Sequence, residues 1–395
     1  MLNKLKKVSA RDIAGILKFI IVLIPTLIYK IYLKLSKKEL WLICETEFTA
    51  RDNGYVFYKY MKDNHPEINC WYAIGFKCQD YNKVKNLGNI IQWASLKHYF
   101  YYMSATRNIS SHKEGNPNQT LFTVLHLYLN LYNNRVFLQH GITKDDAEMF
   151  YYKNTKFKYF ICGAKREYEF IKEKFGYPLK NVIYTGFARF DNLHNSKVKK
   201  QILVIPTWRR WFELEQDETK FVESNYFKMW NGLLNNKKLN DYIKKNNIKL
   251  VFYPHAQMKK FISSFKLDNE DIKVINNEVD IQKLLKESSL MITDYSSVYM
   301  DFAYMSKPVI YYQFDYSEYR SSHFKEGYFD YKKDGFGLVT DSEKKLEKEI
   351  ERICDNKFVT DKKYKERMDK FFELNDANNC ERIYKTVKEN LQWKI

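Results

Sequence analysis

Short apolar runs of three to five residues recur along this chain, and between them apolar residues return at helical spacing. The first pattern predicts buried strands and the second predicts amphipathic helices. Strands are expected at residues 40–44, 70–76, 89–93, 107–110, 136–138, 159–162 and 182–185, with helices at 53–64, 96–103 and 165–175. A charged, turn-rich stretch at 194–200 interrupts the alternation, which then restarts. Further strands are expected at 202–205, 250–253, 274–275, 290–292 and 309–312, and helices at 226–246, 281–286 and 298–305. The tail, 341–391, reads as mostly charged helix. This alternation predicts an α/β class with parallel sheets. Two doubly wound halves joined near residue 195 would place a ligand cleft between them, at the carboxyl ends of the strands.

Residues 1–38 stand apart. Lys4, Lys6, Lys7, Arg11 and Lys18 precede an apolar run at 19–29, and Lys30, Lys34, Lys37 and Lys38 follow it. The run is about half the roughly 20 residues a spanning helix needs, and it contains Pro25. The expectation is a basic amphipathic segment lying in an anionic membrane surface, lysines toward headgroups. A helix docked on the protein's own surface is the plainer alternative. The expected division is a membrane-associating segment 1–38, a Rossmann-like acceptor-side domain 39–195, a Rossmann-like donor-binding domain 196–375 and a terminal helix 376–395.

Composition narrows the partners. With 45% hydrophobic and 17% aromatic residues the chain can bury a large core. A net charge of +18 favours a polyanion. The basic residues are dispersed and no nucleic-acid signature is present, so a membrane surface or a phosphate-rich polymer is expected and nucleic acid is not. Six cysteines without C-x-x-C spacing read as reduced thiols of a cytosolic protein. Eight histidines show no metal-ligand spacing, so no metal is expected.

Candidate chemistry gathers where strands end. The stretch Thr293-Asp294-Tyr295-Ser296-Ser297 sits between an apolar run and a predicted helix. Backbone N–H groups and two hydroxyls there form an expected phosphate cradle, although Asp294 or Ser296 could simply cap the helix. Four other strand ends share this grammar: Gln139-His140-Gly141-Ile142-Thr143-Lys144, Gly186-Phe187-Ala188-Arg189-Phe190-Asp191, Pro206-Thr207-Trp208-Arg209-Arg210 and Pro254-His255. Together they suggest a site for an anionic substrate. His140 is the candidate base and Gly141 allows close backbone approach. Arg209 could clamp a phosphate. Arg189 and Asp191 could pair with each other. Trp208 could stack on a base or pack inside.

In that order, HGITK, GFARFD, PTWRR, YPH and ITDYSSVYMDFAYMSKPVIYYQFDYSEY resemble the CDP-glycerol glycerophosphotransferase family, over about half of the chain. The resemblance implies a GT-B-like pair of Rossmann domains and peripheral attachment to the cytoplasmic face of the membrane. It implies transfer of glycerol phosphate, or a related alditol phosphate, from CDP-glycerol to a teichoic-acid-like or capsular polymer or lipid-linked acceptor, releasing CMP. No cofactor is required by that chemistry. By motif, His140 and His255 are the expected catalytic histidines. Thr207, Arg209, Asp294, Ser296, Ser297, Gly141 and Arg189 are the expected donor and phosphate contacts. The sequence departs from the family pattern at Ile142-Thr143-Lys144, at Ala188 and at Ala256. The alternatives are a GT-B glycosyltransferase using a nucleotide sugar, and a non-catalytic basic scaffold for membrane or polyanion.

Overall fold

A computed structural model describes residues 9–389 except 214, 216, 268, 276–278 and 323–324. Its packing separates two units. One comprises the chain up to His140, Glu148–Asn192 and the chain from Asp376 on; the other comprises Gly141–Ala147 and Leu193–Asn375.

The first unit is built on β1 (Leu40–Cys44), β2 (Asn69–Ile74), β3 (Ile90–Gln92), β4 (Arg107–Ser110), β5 (Arg135–Phe137), β6 (Tyr159–Cys162) and β7 (Val182–Tyr184). The strands run in the order β3-β2-β1-β4-β5-β6-β7, all parallel. The second unit contains β8 (Gln201–Ile205), β9 (Lys249–Phe252), β10 (Ile272–Val274), β11 (Leu290–Thr293), β12 (Val309–Tyr312) and β13 (Gly337–Thr340). Their order is β10-β9-β8-β11-β12-β13, again all parallel. Each unit is thus a doubly wound α/β sheet, the fold class expected from the alternating pattern. Covered on both faces, central strands read as unbroken apolar runs, and every residue of β1, β8, β11 and β12 is buried. Winding reverses between β1 and β4 and between β8 and β11, so the loops leaving those strands diverge and open a crevice.

Several elements escaped the pattern, short helices at Tyr81–Lys85, Tyr152–Thr155, Glu218–Glu223 and Tyr316–Ser322 among them. The helix Gln119–Leu127 and the edge strand β13, which begins at Gly337, were unforeseen. The single helix expected over 226–246 is two, Asn225–Leu234 and Lys237–Lys245; Asn236 breaks it by capping the second through its side chain.

The amino-terminal helix, Ala10–Leu35, is longer than its apolar run suggested. A Ser9–Asp12 capping box starts it, and it continues through Pro25 for 26 residues. It is long and apolar enough to cross a membrane by length and composition. Gly15, Val22, Thr26 and Leu33 form its buried stripe. Val22 and Leu33 enter a core with Tyr99, Tyr102 and Phe122. The lysines expected to face headgroups are partly turned inward: Lys18 Nζ donates to the Ala94 carbonyl (2.7 Å) and Lys30 lies over the Tyr132 ring. The outward face instead presents Ile13, Leu17, Ile20, Ile24, Leu27 and Ile31, all more than half exposed.

Candidate functional site

In the second unit, the loops after β8, β11 and β12 are locked by one buried cation. Arg209 is fully buried. Its Nη2 donates to Asp294 Oδ2 (2.8 Å) and Asp315 Oδ1 (3.1 Å), its Nε to Asp315 Oδ2 (2.7 Å) and its Nη1 to the Thr207 carbonyl (2.6 Å). Tyr226, Tyr295 and Tyr319 surround the guanidinium. Burial alone would lower its pKa, but Asp294 and Asp315 overcome that and hold it well above the ordinary value. The expectation that Arg209 clamps a donor phosphate is therefore corrected. Its N–H groups are taken by two carboxylates and a carbonyl, and no face of it meets solvent.

Asp294 is likewise committed. Its Oδ1 accepts the N–H groups of Thr207 (2.8 Å) and Tyr295 (2.6 Å). It is fully buried with both oxygens bonded inside the fold and does not cap the next helix, so the expectation of a donor contact there is corrected as well. Thr207 is held by those bonds at the mouth of the β8–β11 crevice; its Oγ1 is buried and has no partner among the described residues.

This frame presents Ser296 and Ser297, both half-buried. The helix behind them is shorter than expected, Tyr299–Tyr304, with Val298 at its cap position and no side-chain capping bond. Ser296 Oγ reaches only the Val298 N–H, at 3.4 Å. Neither serine is consumed by capping, and six residues provide little helix dipole. The structure brings Gly141 to the serines: a Cβ built there would lie 3.0 Å from Ser297 Oγ, so a side chain at 141 would crowd the pair. Lys144, in the same segment, is buried and paired with Asp145, which also binds Arg320 (2.7 Å). Burial opposes ionisation of Asp145, but the two cations prevail and hold its pKa below the usual carboxylate range. The sequence reading passed over Asp145 and Arg320, 175 residues apart, because the pair exists only in the fold.

His255 follows β9. Its Nδ1 accepts the Gln257 N–H (3.2 Å), and its ring stacks on Trp208 at 6.0 Å. Trp208 packs against the core, the inside role foreseen as one alternative. His255 is exposed at the surface, yet neighbouring protein partly desolvates its ring and pushes its pKa down to about 4. A bare Nδ1 and a neutral ring place the proton on Nε2, which is then a hydrogen-bond donor.

In the first unit, His140 follows β5 and is exposed. Its Nδ1 lies 3.3 Å from the Ser111 carbonyl, which requires a proton on Nδ1, so in the neutral ring Nε2 is the acceptor. As neutral rings the two histidines thus take opposite tautomers. His112, which the sequence reading did not single out, stacks on His140 with ring centroids 4.9 Å apart and planes 7° from parallel. Burial, then the neighbouring imidazole, push the His112 pKa down to about 4, so an uncharged ring braces His140.

Arg189 is buried in the same unit and paired with Asp52 (2.8 Å). Asp191 accepts the N–H groups of Asn379 (2.9 Å) and Cys380 (2.8 Å), capping the helix Asn379–Glu389. Arg189 is therefore corrected from a donor contact to a partner of the loop after β1. Among the described residues, no three His, Cys, Asp or Glu side chains gather as a metal site.

A family model described as CDP-glycerol:poly(glycerophosphate) glycerophosphotransferase matches residues 27–389. The minor teichoic acid biosynthesis protein GgaB of Bacillus subtilis (strain 168) is 33% identical over 378 residues, covering 93% of this chain and 41% of that protein. A teichoic acid poly(glycerol phosphate) polymerase of the same organism is 24% identical over 371 residues, 85% of this chain and 46% of that one. The chain spans less than half the length of these two relatives. A solved structure of the wall teichoic acid polymerase TagF superposes with a TM-score of 0.64 at 18% identity, covering 90% of each chain. That likeness shows the shared GT-B-like fold.

Proposed function

The chain belongs to the CDP-glycerol:poly(glycerophosphate) glycerophosphotransferase family, and on that premise we propose that it transfers glycerol phosphate, or a related alditol phosphate, from a CDP-linked donor to a polymer or lipid-linked acceptor. The acceptor hydroxyl oxygen attacks the β-phosphorus as the bond from that phosphorus to the CMP oxygen breaks. CMP leaves as the anion and the acceptor proton passes to His140 Nε2. His255 Nε2–H and the hydroxyls of Ser296 and Ser297 donate to the donor's phosphate oxygens, which is the positioning and charge stabilisation such a transfer needs. Arg209, Asp294 and Asp315 hold the loops and touch no substrate. The observation that supports this division most directly is the opposite tautomers of the two histidines, one a base and one a donor. A panel of CDP-glycerol, CDP-ribitol and nucleotide sugars, read by nucleotide release, tests it. CMP release from a CDP-alditol is the expected outcome; release of a nucleoside diphosphate from a sugar donor alone would refute it.

The acceptor and the enzyme meet at a membrane surface in this reading. The outward face of Ala10–Leu35 is an unbroken apolar strip, suited to insertion among acyl chains at an interface. Replacing Ile20, Ile24 and Leu27 by Gln leaves the docked stripe intact. It is expected to abolish pelleting with anionic vesicles, and unchanged pelleting would remove this part of the proposal.

A further inference from the structure

We propose that His112 is a substrate-binding residue: its Nε2–H donates to the second hydroxyl of a terminal vicinal diol on the acceptor, beside the hydroxyl that His140 deprotonates. This rests on the transferase reading above and names the acceptor feature that the first unit reads.

The loop after β4 holds the His112 ring in one place. Ser110 Oγ accepts the His112 N–H (3.0 Å) and Ser111 Oγ accepts the Gly54 N–H (2.6 Å). A Cβ on Gly115 would collide with Ser110 Oγ, so glycine lets the chain return over that hydroxyl. The same loop supplies two contacts to His140, the Ser111 carbonyl at its Nδ1–H and the His112 ring stacked against it.

The two ring nitrogens of His112 differ. Nδ1 is buried and meets no partner, whereas Nε2 is not buried and makes no hydrogen bond among the described residues. A neutral imidazole carries one proton. On Nδ1 that proton would be a donor stranded in the interior; on Nε2 it stays at the surface, free for a ligand. The neutral His140 ring has the reverse arrangement, with Nε2 bare. The near-parallel rings thus offer one acceptor and one donor side by side. That pair matches two neighbouring hydroxyl oxygens, one losing its proton and the other accepting a hydrogen bond. A phosphate oxygen would call for a cation. The charged side chain that acts on His112 is instead the Asp52 carboxylate, and the ring itself is uncharged. A lone alcohol would use His140 and leave the His112 N–H to water.

The test uses CDP-glycerol as donor and two synthetic acceptors. One is di(glycerol phosphate), which ends in a vicinal diol; the other ends in 3-hydroxypropyl phosphate and lacks the middle hydroxyl. Wild type should favour the diol in kcat/KM by about three- to tenfold, the scale of one neutral hydrogen bond. His112→Phe keeps an aromatic ring against His140 but has no N–H. It should treat the two acceptors alike and bind CMP as wild type does. His112→Gln, whose amide N–H stands near the place of Nε2, should restore part of the preference. A preference kept by His112→Phe, or absent in wild type, would overturn the proposal. So would a loss confined to kcat and equal for both acceptors, which is bracing alone. A second measurement needs no turnover. Ring-nitrogen NMR of the whole chain should find the His112 proton on Nε2, and that nitrogen should shift with the diol acceptor but not with the analogue. A proton on Nδ1, or equal shifts, would also overturn it. No CMP release from any CDP-alditol, with the diol-dependent shift intact, would remove the reaction and leave the contact.

Discussion

Residues that look alike in the sequence do different work in the fold. Arg209, Asp294, Ser296 and Ser297 all stand at strand ends, and strand-end chemistry pointed to all four. Burial separates them. Arg209 and Asp294 are interior and saturate each other, whereas the two serines are half-exposed and barely bonded. Sequence spacing locates a loop but does not reveal which side chains the loop consumes. The consumer Asp315 lies 106 residues from Arg209. Arg209→Ala is therefore expected to cost about 3–5 kcal/mol by leaving buried carboxylates unpaired. Ser296→Ala with Ser297→Ala should cost no more than about 1 kcal/mol each while raising the donor KM. Urea unfolding together with donor kinetics on both variants checks the contrast; a stable Arg209→Ala enzyme with a raised donor KM would restore the arginine to the phosphates.

Elements were legible where one physical signal dominated. Apolar runs found β1, β6 and β12 at their observed bounds, because a strand buried on both faces has no polar position to disguise it. β13 was missed because it is a short edge strand that starts on glycine, with too little pattern to stand out from a loop. The helix Gln119–Leu127 lies between polar stretches and was passed over, although Asn118 caps it. The terminal helix shows a different limit: its pattern was visible, but its cap comes from Asp191, 188 residues earlier. No local rule finds a cap supplied from that distance. Asp191→Ala should lower stability by about 1–2 kcal/mol, and hydrogen exchange should show the loss concentrated in residues 379–389. Uniform protection in that helix would show that the cap is dispensable.

At the scale of the whole molecule, buried imidazoles set the acid limit. Burial pushes the His98 and His126 pKa values down to about 3, and that of His112 to about 4, against about 6.5 in an unfolded chain. Below 6.5 the unfolded chain binds more protons than the native one. The stability these neutral rings contribute is complete above pH 6.5 and is lost as pH falls toward 4. Urea midpoints should drop steadily between pH 7 and pH 4.5, and a flat profile would contradict the burial of these rings.

The central claim is that each unit supplies one histidine with its own role. CMP binding by calorimetry, measured beside kcat for His140→Ala and His255→Ala, tests it most directly. His140→Ala should lose about 10²-fold or more in kcat, the scale of general-base catalysis, and keep wild-type CMP affinity. His255→Ala should lose CMP affinity along with turnover. A His140→Ala enzyme with near wild-type kcat, or one that loses CMP while His255→Ala retains it, would contradict the account.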